Sequence, residues 1–159
     1  MEDIYLLTGS NLGDRMGYLD FASGQIQSFS TLVSYSSVYE SGSWGYESKN
    51  FYLNQCLYIR TDLNPLQLLY SLKKIEAAAG RTHRDAEYED RVLDIDILFY
   101  GSNILESQQL KIPHPRLHLR AFALFPLSEI AADLIHPVSG KTIGELLASC
   151  PDPVRPVRY

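Results

Sequence analysis

The chain has 159 residues, of which 45% are hydrophobic and 21% are charged, an ordinary balance for a soluble globular protein. Its net charge of −5 gives no overall attraction toward nucleic acid or an anionic membrane, and no apolar run approaches a membrane span. The start, Met1-Glu2-Asp3, lacks the basic residues of a signal peptide, and the two cysteines are in no metal-binding spacing. We therefore expect a single cytoplasmic domain over residues 1–159, monomeric, without nucleic-acid or membrane partners.

The first third of the chain combines strand and helix patterns. Three segments have the pattern of strands, and they are Ile4–Thr8, Leu32–Glu40 and Phe51–Thr61. A helix is predicted after the first strand, with Asn11 or Asp14 as its N-cap. Cys56 lies in a strand-like run, which indicates a small core residue.

The second helix has clearer boundaries. Asn64 followed by Pro65 is a typical helix start, and Gly80 is a typical stop. Its predicted apolar stripe is Leu66, Leu69, Leu72, Ile75 and Ala79. A polar stretch over residues 81–90 leads into a strand over residues 91–100. We then expect a hairpin arm at 104–112, helices at 120–131 and 142–149, and a proline-rich tail.

This order of elements, β-α-β-β-α-β, predicts an α+β fold of the ferredoxin-like type. Such a fold has an antiparallel sheet with two helices on one face, here with an appended β-hairpin and C-terminal helices. We expect the strand at 91–100 to lie in the middle of the sheet beside Ile4–Thr8.

The strand at 91–100 carries a feature that needs an explanation. Alternation places Leu93, Ile95, Ile97 and Phe99 on one face, and Asp94 and Asp96 on the other. Two like charges side by side on a strand repel each other. Either the pair binds a hard divalent cation such as Mg²⁺, or it belongs to a solvated outer face.

Cationic residues flank this pair on both sides in the sequence. They are Arg81, His83, Arg84, Arg91, His114, Arg116, His118 and Arg120. Any one of them alone could be a surface or turn residue. Together with two carboxylates they suit phosphoryl-type transfer, in which Mg²⁺ and guanidinium groups neutralise phosphate charge. The chain has neither a P-loop nor a Gly-x-Gly-x-x-Gly sequence, so another phosphate-binding arrangement is required.

A second group could form a slot for a flat heterocycle. Its members are Trp44, Tyr52, Asn54 and Phe122, with the amide of Asn54 offering both a donor and an acceptor. Core packing is the alternative explanation, and it is stronger for Phe122 than for Trp44. Trp44 is the only tryptophan and lies in the Gly- and Ser-rich loop at 41–50, which is long for a compact domain.

The chain also resembles a known family, 6-hydroxymethyl-7,8-dihydropterin pyrophosphokinase of folate biosynthesis. The segments that carry the resemblance, in the family's order and spacing, are 8–14, 51–54, 76–81, 91–97, 113–116, 120–122 and 126–131. The most specific are Arg91-Val92-Leu93-Asp94-Ile95-Asp96-Ile97 and Pro113-His114-Pro115-Arg116. The family's fold is also ferredoxin-like.

The resemblance implies transfer of pyrophosphate from the co-substrate ATP to the pterin hydroxymethyl group, releasing AMP. It implies that Asp94 and Asp96 bind Mg²⁺, two ions in all, and that Arg81 and Arg91 act with them in catalysis. The implied pterin-binding residues are Ser41, Gly42, Trp44, Tyr52, Asn54, Tyr88, Asp94 and Phe122. The implied ATP-binding residues are Glu76, His83, Arg84, Arg91, Ile97, His114, Arg116 and Arg120.

The chain departs from the family just before the carboxylate pair. Members usually have Arg-Trp-Gly/Ala-Pro-Arg, whereas this chain has Glu87-Tyr88-Glu89-Asp90-Arg91. We expect the added acids to weaken ATP binding by about 1 kcal/mol or less per exposed charge. Activity should be retained. Two other functions remain open from the residues alone: a non-catalytic ligand sensor, and a different Mg²⁺-dependent nucleotidyltransferase.

Overall fold

The computed structural model describes residues 1–80 and 89–159, so the predictions for Arg81, His83, Arg84, Glu87 and Tyr88 lie outside the described residues. The strands are β1 (Glu2–Ser10), β2 (Thr31–Tyr35), β3 (Tyr39–Ser41), β4 (Tyr52–Thr61), β5 (Asp94–Tyr100), β6 (Leu105–Glu106), β7 (Lys111–Ile112) and β8 (Val157–Arg158). The helices are α1 (Arg15–Ile26), α2 (Pro65–Ala78), α3 (Ala121–Ala131) and α4 (Ile143–Ala148), with a short 3₁₀ helix at Leu117–Leu119. In the described ranges, no helix is long and apolar enough to cross a membrane.

The main sheet runs in the order β5-β1-β4-β3-β8, with β2 also paired to β4, and every pair is antiparallel. Helices α1 and α2 contribute to a core on one face that includes Ala22, Ile26, Leu68 and Leu72. Helices α3 and α4 contribute to a second core on the other face, and Cys56 is buried in it as predicted. The α+β, ferredoxin-like prediction is confirmed, with the C-terminal helices covering the face that the first two helices leave open.

Local signals define the ends of the first two helices. Asp14, one of the two predicted caps, accepts a hydrogen bond from the Gly17 N–H at 3.1 Å. Asn64 forms a capping box with Gln67, and Gly80 has a φ of 108° just after the end of α2. The predicted stripe of α2 is partly wrong, because Leu66 is 51% exposed and Leu68 is buried instead.

The position predicted for the carboxylate strand needs a correction. β5 does lie beside β1, but the other neighbour of β1 is β4, so β1 and β4 are central and β5 is at the edge. Among the described residues, groups other than a strand bind its outer side. The Ile95 N–H donates to Glu76 Oε2 at 2.8 Å, and the His114 N–H donates to the Leu98 carbonyl at 3.0 Å.

A β-bulge in β5 changes which face Phe99 occupies. Leu6 pairs with Ile97 and Tyr5 pairs with Phe99, so Leu98 is an extra residue in β5. Strict alternation fails after Ile97, and Phe99 packs with Tyr5 in the α3/α4 core rather than beside Ile97 as predicted. Asp94 and Asp96 precede the bulge and lie on the predicted face, opposite α1 and α2.

Three other strand predictions differ from the structure. The segment Leu32–Glu40 forms two strands, because Ser36 leaves the ladder and binds the backbone of Cys56 through both its N–H and its hydroxyl. The predicted hairpin is present at 104–112, but it consists of β6 and β7 paired with each other and does not form one arm paired with a strand of the main sheet. The proline-rich tail ends in β8, which pairs with β3. This strand was not predicted, because the prolines in the tail argue against a strand.

The tail also caps the helix that lines one side of the sheet. The Arg120 side chain makes no capping bond at the start of α3. Asp152 is buried and accepts from the Ala121 N–H at 3.0 Å and from the Val154 N–H at 2.9 Å. A residue 31 positions away in sequence therefore supplies the N-cap of α3.

We predict that Asp152→Ala lowers the free energy of unfolding by about 1–2 kcal/mol, since it removes a cap and leaves the buried N–H of Ala121 unsatisfied. Urea denaturation measures this change. Asp133→Ala is the matched control, because Asp133 is an exposed acid just after α3. Equal effects of the two substitutions would contradict the capping role.

Candidate functional site

Three neighbouring strands place two of the predicted site residues, Asp94 and Asn54, in one row across the sheet. Gly9 on β1 pairs with Asp94 on β5 and with Asn54 on β4. Directly paired residues present their side chains on the same face of a sheet. The carboxylate of Asp94 and the amide of Asn54 therefore flank a position that has no side chain, and an open space results between them.

This space belongs to a cavity of about 420 Å³ on the face opposite α1 and α2. Its lining includes eleven of the predicted residues: Ser41, Gly42, Trp44, Tyr52, Asn54, Arg91, Asp94, Asp96, His114, Arg120 and Phe122. Among the described residues, Leu7, Gly9 and Tyr46 also line the cavity. The structure thus brings together residues that lie far apart in the sequence.

The carboxylate side of the cavity has a strained charge balance. Arg91 Nη1 lies 3.1 Å from Asp94 Oδ1, which makes Asp94 part of an ion pair. Removal of the Asp96 carboxylate from bulk water, together with the negative charge of Asp94, raises the pKa of Asp96 well above its usual range. Arg120 and Arg91 oppose that rise, and Glu76 adds to it. A bound cation would relieve this repulsion.

The opposite side of the cavity offers an amide group. Asn54 Nδ2 donates to the Thr8 carbonyl at 3.2 Å, which fixes the direction of the side chain. Asn54 Oδ1 is buried and accepts no hydrogen bond from any residue that the structure describes. An unsatisfied buried acceptor is costly, so this atom is well suited to receive a hydrogen bond from a ligand.

A guanidinium group packs against two aromatic rings in the lining of the same cavity. The Arg120 guanidinium carbon is 4.5 Å from the centre of the Trp44 ring and 5.6 Å from the centre of the Phe122 ring. These distances are typical of cation–π contacts. The two rings provide flat apolar surfaces, and the positive charge of Arg120 also acts on the Asp96 carboxylate.

His114 contributes a neutral imidazole. Burial, and then the charge of Arg120, lower the pKa of His114 to about 4, so the ring is uncharged at neutral pH. Its Nδ1 accepts from the Arg116 N–H at 3.2 Å, which places the ring proton on Nε2. His114 therefore lines the cavity as a hydrogen-bond donor without a charge.

Comparison with known proteins agrees with this geometry. Residues 5–132 match the family described as 7,8-dihydro-6-hydroxymethylpterin-pyrophosphokinase. The chain belongs to this family. A 2-amino-4-hydroxy-6-hydroxymethyldihydropteridine pyrophosphokinase of Aquifex aeolicus is 40% identical over 91% of this chain and 90% of its own. One from Haemophilus influenzae is also 40% identical, over 93% and 92%.

A solved structure supports the fold. The wild-type HPPK-DHPS protein of Plasmodium falciparum superimposes with a TM-score of 0.73 at 16% identity. The match covers 92% of this chain and 44% of the Plasmodium chain, so this chain spans less than half of that protein.

Three residues predicted to bind ATP do not line the cavity. Glu76 lies on α2 and binds the backbone of β5 from its outer side. Ile97 is buried in the core beneath α1 and α2, and Arg116 lies next to His114. Their contact with ATP stays a prediction from the family resemblance, as do the roles of Arg81, His83, Arg84 and Tyr88.

Sequence reasoning missed Leu7, Gly9 and Tyr46 as site residues. Gly9 has the sequence context of a turn, although it lies within β1 and pairs with Asp94. A Cβ built on Gly9 would lie 2.5 Å from Asn54 Nδ2, closer than real contacts allow. Tyr46 lies in the same loop as Trp44, two residues further along. That position next to the only tryptophan is the feature of the sequence that could have identified it as a site residue.

We predict that Gly9→Ala displaces the Asn54 side chain and weakens pterin binding about tenfold or more, the equivalent of losing a buried hydrogen bond. Isothermal titration calorimetry with 6-hydroxymethyl-7,8-dihydropterin would measure the change.

Gly24→Ala is the matched control, because nothing lies within 4 Å of a Cβ built on this helical glycine. It should leave affinity unchanged and stabilise α1 by up to about 1 kcal/mol. Unchanged affinity in Gly9→Ala would show that Asn54 does not hold the pterin.

Proposed function

We propose that this cavity catalyses Mg²⁺-dependent transfer of pyrophosphate from ATP to 6-hydroxymethyl-7,8-dihydropterin. The family supplies the reaction, a step of folate biosynthesis that yields the pterin diphosphate and AMP. The observation that supports its location is the division of one cavity into two sides. Asp94 lies with Arg91 on one side of Gly9, and the amide of Asn54 lies on the other side. The rings of Trp44 and Phe122 also line the cavity, and the Arg120 guanidinium packs against both rings.

The carboxylate side fits Mg²⁺ chemically. Mg²⁺ is usually held in proteins by one or two carboxylates, with water and substrate phosphates completing its shell. Within the described residues, no group of three or more His, Cys, Asp or Glu side chains could hold a metal alone. Asp94 and Asp96 are thus an incomplete ligand set, which suits ions that arrive with ATP. Bound Mg²⁺ supplies neutralisation of charge on the ATP phosphates.

The amide side fits a pterin. A pterin ring is flat and carries N–H and amino donors that the Asn54 Oδ1 can accept. Trp44, Tyr52 and Phe122 offer aromatic faces for stacking, and Ser41 and Gly42 line the same end of the cavity. With its ring beside Asn54, the pterin would direct its hydroxymethyl group toward Asp94.

The cationic residues then have distinct roles in the transfer. Arg91 and Arg120 can bind phosphate oxygens with the planar geometry of guanidinium, and neutral His114 can donate from Nε2 without adding charge. The hydroxymethyl oxygen would attack the β-phosphorus of ATP and lose its proton to water. The bond from the β-phosphorus to the bridging oxygen breaks at the same time, and AMP leaves with that oxygen and its electron pair. The contribution of the protein is positioning and charge neutralisation of an in-line transfer.

We predict that Asp96→Asn abolishes turnover while leaving the fold intact, because one of the two proposed metal-binding carboxylates is lost. The assay measures AMP released from ATP, with and without 6-hydroxymethyl-7,8-dihydropterin. Pterin-dependent AMP release in the wild type distinguishes this activity from a ligand sensor and from another nucleotidyltransferase. A near-normal rate in Asp96→Asn would refute the metal assignment.

The same substitution should increase stability when no metal is present. Because folding raises the pKa of Asp96, ionisation of this carboxyl opposes folding, and stability falls as pH rises from about 4 through the folded-state pKa. Asp96→Asn removes this cost. Denaturation in EDTA should show the variant more stable than wild type at pH 8, with the difference shrinking toward pH 5. A pH-independent difference would show that ionisation of Asp96 is not the cause.

A further inference from the structure

Asp90 lies at a junction between three separate stretches of the chain. Its Oδ1 accepts from Asn11 Nδ2 at 2.8 Å and from the Tyr46 hydroxyl at 3.0 Å. Its Oδ2 accepts from Asn50 Nδ2 at 2.8 Å. The Asp90 carboxylate therefore connects three parts of the chain. They are the turn after β1, the 41–50 loop at two points (Tyr46 and Asn50), and the segment that leads into β5.

A second set of contacts extends this junction to the wall of the cavity. The Tyr46 hydroxyl is 3.0 Å from the Tyr52 hydroxyl, which donates to the Glu89 carbonyl at 2.9 Å. Both tyrosines line the cavity, and so does Trp44, two residues before Tyr46. The position of the aromatic wall thus depends on bonds to residues 89 and 90.

The arginine next to Asp90 is held by other bonds. The Arg91 N–H donates to Asn11 Oδ1 at 2.7 Å, and the Asn11 N–H donates to the Arg91 carbonyl at 3.0 Å. These two bonds do not involve the Asp90 side chain. Loss of the Asp90 carboxylate should therefore loosen the 41–50 loop, which keeps longer contacts from Asn11 Nδ2 to the Tyr46 hydroxyl (3.4 Å) and the Asn50 carbonyl (3.5 Å) beside the Tyr46–Tyr52 bond. The backbone of Arg91 should stay in place.

We propose that Asp90 is a positioning residue, whose carboxylate fastens the 41–50 loop to the entry of β5 and holds the aromatic wall of the pterin slot in its binding position. This role rests on the proposed function, since it takes the slot to be the pterin site. Hydrogen bonds from Ser48, Asn50, Asn11 and Tyr46 lower the pKa of Asp90, so the carboxylate is charged throughout the neutral range. Charged acceptors form stronger hydrogen bonds than neutral ones.

The test uses Asp90→Ala and Asp90→Asn in the full chain. Because Trp44 is the only tryptophan, its emission reports on the loop alone. In the ligand-free protein, Asp90→Ala should raise acrylamide quenching of Trp44 about twofold as the loop gains freedom. Its Kd for 6-hydroxymethyl-7,8-dihydropterin, measured with α,β-methylene ATP present, should rise about tenfold. Asp90→Asn keeps the shape of the side chain but places an amide group against the amides of Asn11 and Asn50. Its quenching and its Kd should lie between those of Asp90→Ala and wild type.

Glu89→Gln is the matched control. It makes the same change of charge one residue away, where only the backbone carbonyl takes part in the junction. It should leave Trp44 quenching and pterin affinity as in wild type. Affinity for the ATP analogue should not weaken in any of the three variants, whereas general unfolding would weaken both ligands together.

Wild-type quenching and pterin affinity in folded Asp90→Ala would overturn the proposal, and so would equal losses for pterin and the ATP analogue. Failure of the wild type itself to bind the pterin would instead overturn the slot assignment, and this role with it. A thermal unfolding midpoint for each variant shows whether it is folded. If Asp90→Ala is unfolded, the same comparison with wild type is made for Asp90→Asn, and wild-type quenching and pterin affinity in that variant would overturn the proposal.

Discussion

The cost of ionising Asp96, which comes first from its burial and then from the charge of Asp94, is the constraint on which the arrangement of the site depends. The two carboxylates share one strand face two residues apart, and neither the ion pair of Asp94 with Arg91 nor the charge of Arg120 removes the strain on Asp96. Glu76, which binds the edge of the same strand, adds further negative charge. A protein selected only for stability would not keep three acids so close. The unbalanced charge is useful where a cation and the phosphates it carries are to be bound.

The edge position of β5 makes this arrangement possible. A central strand would have a second strand on its outer side, whereas the outer side of β5 is bound by the Glu76 carboxylate and by the segment at His114. These groups bring the charge of Glu76 to where it acts on Asp96, and they place the imidazole of His114 in the cavity lining. On the inner side, Gly9 leaves the gap that joins the carboxylates to Asn54. The bulge at Leu98 comes after both acids and leaves their alternation intact.

Local patterns predicted the fold class, the caps at Asp14 and Asn64 and most of the cavity lining, because each depends on neighbouring residues or on a specific resemblance. The failures depend on contacts between distant parts of the chain. Alternation could not reveal the extra residue at Leu98, which exists only relative to β1. The tail strand and the capping of α3 by Asp152 need partners far away in sequence. Gly9 has the character of a turn residue in the sequence, and only its pairing with Asp94 reveals its place in the site.

The acidic segment before β5 shows why a charge must be judged by its partners. Counted alone, Asp90 is an acid that opposes ATP binding, placed where the resemblance leads one to expect a proline. In the structure side-chain amides and hydroxyls bind its carboxylate. These neutral donors leave its charge at −1 but fix where it lies, on the side of the site occupied by Tyr46 and Tyr52. If ATP and the pterin bind as we propose, the departure from the family pattern has two opposing consequences. It adds negative charge to the segment before β5, and it anchors the wall against which the pterin would stack.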